Sequence, residues 1–269
     1  VTSAIEHSAV LRPCEAMAEV GYEVARCGVD EGGRLRLDEF AELVDGDRPG
    51  FASVMWSNNE TGVVNPMEDT CRIAKDAGWA FHTDAIQAVG GIPLDVDACK
   101  IDFLASGSHK WLMGPEGAGF VYIRQERFEE LTPRHASWLS HEDALLFLFE
   151  GPGELRYDRP IRKRADFVEM SAVNTLGYAG LEASVDILTS LGVDTIFAHV
   201  DAYLDALEER ITDELSLISV RSRHPAHRSG ILSFQIPPEV QNKELGDTLV
   251  QRGIIASTPD GLLRFAPHW

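Results

Sequence analysis

Basic residues are scarce in this chain: 24 Lys and Arg stand against 43 Asp and Glu, a formal charge of -19 over 269 residues. That imbalance excludes a broad basic face for nucleic acid or an anionic membrane. A small phosphate-bearing ligand remains possible, because a few backbone N–H groups can hold one locally. Long apolar runs are also missing; "ALLFLF" at 144–149 is far too short to span a bilayer. Cysteine is limited to Cys14, Cys27, Cys71 and Cys99, widely spaced and without a CxxC pair. They read as reduced thiols of a cytoplasmic protein rather than a disulfide or zinc framework. No signal peptide is visible. The chain opens on "VTSAI" without Met and stops at "RFAPHW", so both ends read as cut.

What is present suffices for a sizeable core: 44% of residues are hydrophobic. Over the first 125 residues short apolar runs alternate with helical patterns. Strands are expected at 21–29, 51–56, 79–84, 101–107 and 118–124, with a helix over "LDEFAELV" and another over "NPMEDTCRIAKDAG". In the latter, Asn65 is the expected N-cap, Pro66 the first helical residue and Gly78 the stop. Continuous apolar runs suggest strands buried on both faces, hence an α/β domain with a mostly parallel sheet. Residues 132–164 read as a long surface excursion, directed towards a partner subunit. Helices follow over about 174–190 and over "VDTIFAHVDAYLDALEERITDEL". A boundary near 190 separates a large domain, 1–190, from a smaller α+β domain, 191–269.

Polar residues gather where strands end. "FASVMW" is followed by Ser57–Gly62, "WAF" by His82-Thr83-Asp84-Ala85-Ile86-Gln87, and "IDFLA" by Ser106-Gly107-Ser108-His109-Lys110; Glu6-His7 follow the opening strand. In open α/β sheets ligands bind outside the carboxyl ends of strands. Singly, each residue has a plain reading: a solvated lysine, an aspartate capping a turn, a structural histidine. Those plain readings must hold at four strand ends together to explain the pattern.

The stretches "AIEHSAVLRPC", "VMWSNNETGVVNP", "FHTDAIQAVGGIPLDV" and "SGSHKWLMGPEGAGFVYI" together resemble the class V aminotransferase group of fold-type I pyridoxal-phosphate enzymes, especially cysteine desulfurases. The resemblance implies that Lys110 forms the Schiff base with the cofactor aldehyde and shuttles the Cα proton. It implies that Asp84 faces the ring nitrogen, His7 the ring face, and Asn59 and Gln87 the phenolic oxygen. Ser108 and His109 fall where the family contacts the phosphate. "GLLRFAPH" resembles the strand whose arginine grips the substrate α-carboxylate, which assigns Arg264; an edge-strand arginine in solvent is the plain alternative. The working unit implied is a homodimer acting on a small amino acid.

The sequence also departs from that pattern. Desulfurases carry a nucleophilic cysteine on a C-terminal loop, but "RHPAHRSGILSF" and "GIIASTPDGLLRF" contain none. Ala172 stands where the family has a phosphate-reaching threonine, with Ser171 beside it. A small-residue loop that cups the phosphate belongs to a part of the family preceding Val1. Aminotransferase, epimerase or other lyase chemistry therefore stays open beside desulfuration. Two further readings also stay open: a catalytically inactive fragment, and a metal-dependent hydrolase built on His82, Asp84 and His109.

Overall fold

The computed structural model describes residues 1–44, 46–154, 156 and 158–269. Six strands form the main sheet: β1 (Thr2–Ser3), β2 (Arg26–Cys27), β3 (Phe51–Ser53), β4 (Ala80–Asp84), β5 (Phe103–Gly107) and β6 (Gly119–Ile123). Their order is β2-β1-β3-β4-β5-β6; all neighbours run parallel except β5 and β6. The carboxyl ends of β1, β3, β4 and β5 therefore share one edge, side by side. β2 keeps only two residues of the expected 21–29 strand.

Three helices accompany this sheet: α1 (Ser8–Glu19), α2 (Leu37–Leu43) and α3 (Met67–Asp76). Phe40 and Cys71, from α2 and α3, join Val54, Phe81, Ile101 and Leu104 in the main core. Burial alternates along β4 and β5, with Phe81, Thr83, Leu104 and Ser106 inside. The expectation of strands buried on both faces is thus corrected. The other face carries Phe51, His82 and Phe103, only partly covered, with Phe51 stacked on His82 at 6.2 Å.

α3 begins one residue later than expected, with Pro66 as its cap and no side-chain capping bond. Asn65 has other partners: its Oδ1 accepts the Leu35 N–H (3.0 Å) and its Nδ2 donates to the Met55 carbonyl (2.8 Å). A buried amide joined to two separate segments is no longer free to cap its own helix.

Residues 132–164 contain no α-helix or strand among those described, only short helical turns and a bridge between His141 and Ile161. α4 (Thr175–Leu191) starts on Asn174, whose Oδ1 accepts the Gly177 N–H. α5 (Val193–Leu215) follows after a bend of 78° at Gly192. No single helix among the described residues is long and apolar enough to cross a membrane. A second sheet pairs β7 (Leu232–Gln235) with β8 (Leu262–Phe265) antiparallel, and α6 (Asn242–Gln251) lies between them in sequence. Val200 and Leu204 of α5 pack with Leu232 and Phe234 of β7, while Leu181, Leu188 and Ile196 pack with Leu112.

Candidate active site

Each strand end prepares one polar group. Past β1, Glu6 turns inward and His7 outward. The His7 Nδ1 accepts the Ala9 N–H at 3.2 Å, capping α1, so the ring proton sits on Nε2. Glu6 is buried, its Oε1 accepting from the Ser3 hydroxyl (2.6 Å) and the Met55 N–H (2.7 Å).

Past β3, Asn58 closes the turn. Its Oδ1 accepts from the N–H groups of Glu60 and Thr61 at 2.9 Å each, and its Nδ2 donates to the Ile5 carbonyl at 3.1 Å. Asn59 is thereby turned towards the shared edge. Past β4, Asp84 Oδ1 accepts the Ile86 N–H at 3.0 Å, which starts the turn leading to buried Gln87. Gln87 Oε1 accepts from the Trp111 indole N–H at 3.2 Å, so its amide nitrogen is left to donate.

Past β5, buried Ser108 donates its hydroxyl to the Pro115 carbonyl, and its own carbonyl accepts the Gly114 N–H at 2.8 Å. A side chain at Gly114 would lie 2.8 Å from the Ser108 Cβ, so the loop closes this tightly only with glycine. That closure fixes where Lys110 emerges. Burial lowers the pKa of the Lys110 amine, Asp84 opposes the shift and Arg264 adds to it.

The second sheet supplies the opposite wall. Arg264 on β8 donates from Nε to Ser257 Oγ (2.9 Å) and from Nη1 to the carbonyl of Asn59 itself. Ser233 of β7 donates to the Glu60 carbonyl, and the Ile231 backbone presses on Gly62.

A pocket of about 460 Å³ results, lined by His7, Asn59, Gln87, Lys110 and Arg264, together with Trp111, Ile231, Ala266 and His268. No acidic side chain is among these lining residues, in a chain of net charge -19. Asp84, Ser108 and His109 lie outside the lining: Asp84 acts on Lys110 through its charge, Ser108 braces the loop, and His109 is exposed.

Sequence reasoning missed Trp111 and His268. The His268 Nε2 lies 3.2 Å from the Trp111 carbonyl and its ring packs on the indole, 5.3 Å between centroids. Only the position of Trp111 beside Lys110 hinted at its place. Of the proposed metal set, His82 is paired with Ser53 (2.8 Å). No group of three or more metal-ligating side chains occurs among the described residues. The four cysteines are free and none lines the pocket; burial pushes Cys27 and Cys99 up to about 11 and Cys71 up to about 12.

A half-buried lysine with a weakened hold on its proton stands at the end of a parallel sheet, beside an aspartate and two amides. Fold and site together define a fold-type I pyridoxal-phosphate scaffold. The donor set suits the group: an amine, a carboxylate for a protonated ring nitrogen, and amides for a phenolic oxygen.

The chain belongs to the aminotransferase class-V family, whose model matches residues 1–262. It is 46% identical over 132 residues to the cysteine desulfurase NifS of Azotobacter vinelandii, covering 49% of this chain and 32% of that protein. Against the cysteine desulfurase of Klebsiella pneumoniae it is 41% identical over 132 residues, 49% of this chain and 33% of the relative. The chain thus spans about a third of the length of these curated relatives. The apo cysteine desulfurase from Thermococcus onnurineus NA1 superposes with a TM-score of 0.86 at 25% identity, over 99% of this chain and 67% of that one. A C-DES mutant with glycine covalently linked to the PLP cofactor shares the fold, with a TM-score of 0.86 at 18% identity over 99% of this chain and 69% of that one.

Proposed function

We propose that this protein is a pyridoxal-phosphate enzyme that acts on a small α-amino acid, with cysteine desulfuration as the leading reaction. The observation that carries the reading is the placement of Lys110, its amine pKa lowered by burial, across one pocket from Arg264. When bound, pyridoxal phosphate supplies an electron sink for negative charge developing at the substrate Cα. Lys110 Nζ would hold the cofactor aldehyde, and the same amine would be the group placed to move the Cα proton. Asp84 would favour a protonated ring nitrogen, and His7 would cover the ring face with Nε2–H available as a donor. Asn59 and Gln87 donate to the phenolic oxygen. Ser108 and His109 serve the phosphate end through the loop they brace and border. Arg264 orients the substrate by its α-carboxylate.

The pocket's lack of a thiol favours a second reading, in which a transaminase, epimerase or lyase works without an enzyme-bound persulfide. The test is to add pyridoxal phosphate and look for a visible absorbance band that borohydride fixes on Lys110, then to assay a panel of amino acids. Alanine with sulfide from cysteine supports desulfuration; a keto acid or altered chirality supports the second reading. No band, or a band surviving Lys110→Ala, overturns both.

The same reading makes the protein a cytoplasmic homodimer. Free cysteines support the compartment. Leu148 and Phe149, strongly exposed on the 132–164 excursion, support a subunit contact there. Sedimentation of wild type and Phe149→Ser checks it: a wild-type dimer weakened by the substitution is expected, and a monomeric wild type overturns it.

A further inference from the structure

Glu6 is used by none of the roles above, yet it is among the few buried carboxyl groups here, with 6% of its surface exposed. Its Oε1 is fully engaged, accepting from Ser3 at the end of β1 and from the Met55 N–H just past β3. Its Oε2 is also buried and has no partner among the described residues. An ionised carboxylate with one oxygen unpaired in the interior is costly, and no cation among the described residues offsets it. The charged group that bears on it is another acid, Asp84 from the end of β4; His7, next in the chain, is turned away to cap α1. The Asp84 charge adds to burial in favouring the protonated form of Glu6.

We propose that Glu6 is a positioning residue whose buried carboxyl clamps the ends of β1 and β3 through its hydrogen bonds to Ser3 and Met55. The proposal rests on the pyridoxal-phosphate reading for its purpose, since that reading puts His7 and Asn59 against the cofactor ring. Its physical content stands without the cofactor. The clamp sets the spacing between the residue before His7 and the strand leading to Asn59, so the ring-face and phenolic-oxygen contacts share one support.

Burial, followed by the opposing Ser3 and Met55 hydrogen bonds and the Asp84 charge, pushes Glu6 up to about 7 from an ordinary 4.5. The folded chain therefore holds this proton more tightly than the unfolded chain. The resulting stability is complete below about pH 4.5 and is lost as pH rises through about 7.

The test uses the chain without cofactor, so its failure is separate from failure of the absorbance test above. Carbon-13 NMR of carboxyl-labelled glutamate should show one signal titrating near neutral pH, absent from Glu6→Gln. Asp84→Asn should lower that midpoint without returning it to the ordinary range. Urea unfolding between pH 5 and 8 should show wild type losing stability relative to Glu6→Gln, which keeps both hydrogen-bond acceptances but cannot ionise. If Glu6→Gln does not fold, the wild-type titration decides alone. No glutamate titrating above pH 6, or a midpoint indifferent to Asp84→Asn, overturns the proposal.

Discussion

Asp102 shows how much one side chain can hold in this fold. It is wholly buried at the start of β5 and pairs with Lys75 of α3 and with Arg127, while also accepting the Phe81 N–H of β4 at 2.9 Å. Burial alone would raise its pKa; Arg127 and Lys75 override that and hold it below the usual carboxylate range. Its stabilisation is present above about pH 4 and lost as pH falls further. Asp102→Asn leaves two cations without their partner and should cost about 3 kcal/mol in urea unfolding at pH 7. The deficit should shrink below pH 4. Arg264→Lys gives up the planar fork, so kcat/KM for the amino-acid substrate should fall by about 10- to 100-fold, mainly through KM. Residues of this kind were legible to different degrees. Lys110, Asn59, Gln87 and His7 announced themselves because polar runs after apolar strands are local signals. The bond from Arg264 to the Asn59 carbonyl was not legible, since 205 residues separate the two.

At the scale of elements, boundaries followed local chemistry until tertiary partners outbid it. Asn174, expected as the first residue of the helix, instead caps α4, and its Nδ2 also donates to the Gly117 carbonyl at 3.3 Å. One residue thus ties α4 to the loop that follows Lys110. Asn174→Ala should cost about 1 kcal/mol, read as a lower thermal midpoint. Asn65 looked equally suited to cap α3, but Leu35 and Met55 claim its amide. Nothing within its own helix could have revealed that. The alternating burial of β4 and β5 was likewise hidden, because an apolar run reads the same whether one face is covered or two. α5 shows another device: Arg221, 1% exposed, draws together Asp201, Asp205 and Glu208 from one helix face. Arg221→Ala should leave Asp201 and Glu208 without their cation, Asp205 keeping Arg228, and destabilise α5 against β7 by about 3 kcal/mol, checked by hydrogen exchange along that helix.

Across the whole molecule, the second sheet rests on the turn at residues 58–64. Gly62 has φ +75°, and a side chain there would lie 2.7 Å from both the Cβ and the carbonyl oxygen of Ile231. Gly62→Ala should therefore cost about 1–3 kcal/mol. Because Arg264 rests on the same turn, it should also weaken substrate binding more than cofactor binding; titrating each ligand separately checks this. The α/β class and the four-strand edge were legible from the order of apolar runs. The closing wall was less so, since β7 and β8 act on the site only after a chain reversal through α5 and α6.

Trp111 brings a practical consequence. Its indole packs against Gly91 and Gly230, where a side chain on either glycine would intrude within 2.6 and 2.3 Å, and it sits one residue from Lys110. It is one of five tryptophans, and the one placed in the pocket wall. The protein thus carries a built-in lamp beside its reactive amine, held rigidly enough to give a steady signal. Its emission should dim as any light-absorbing occupant settles in the pocket, so that binding can be timed in a stopped-flow cell without a label.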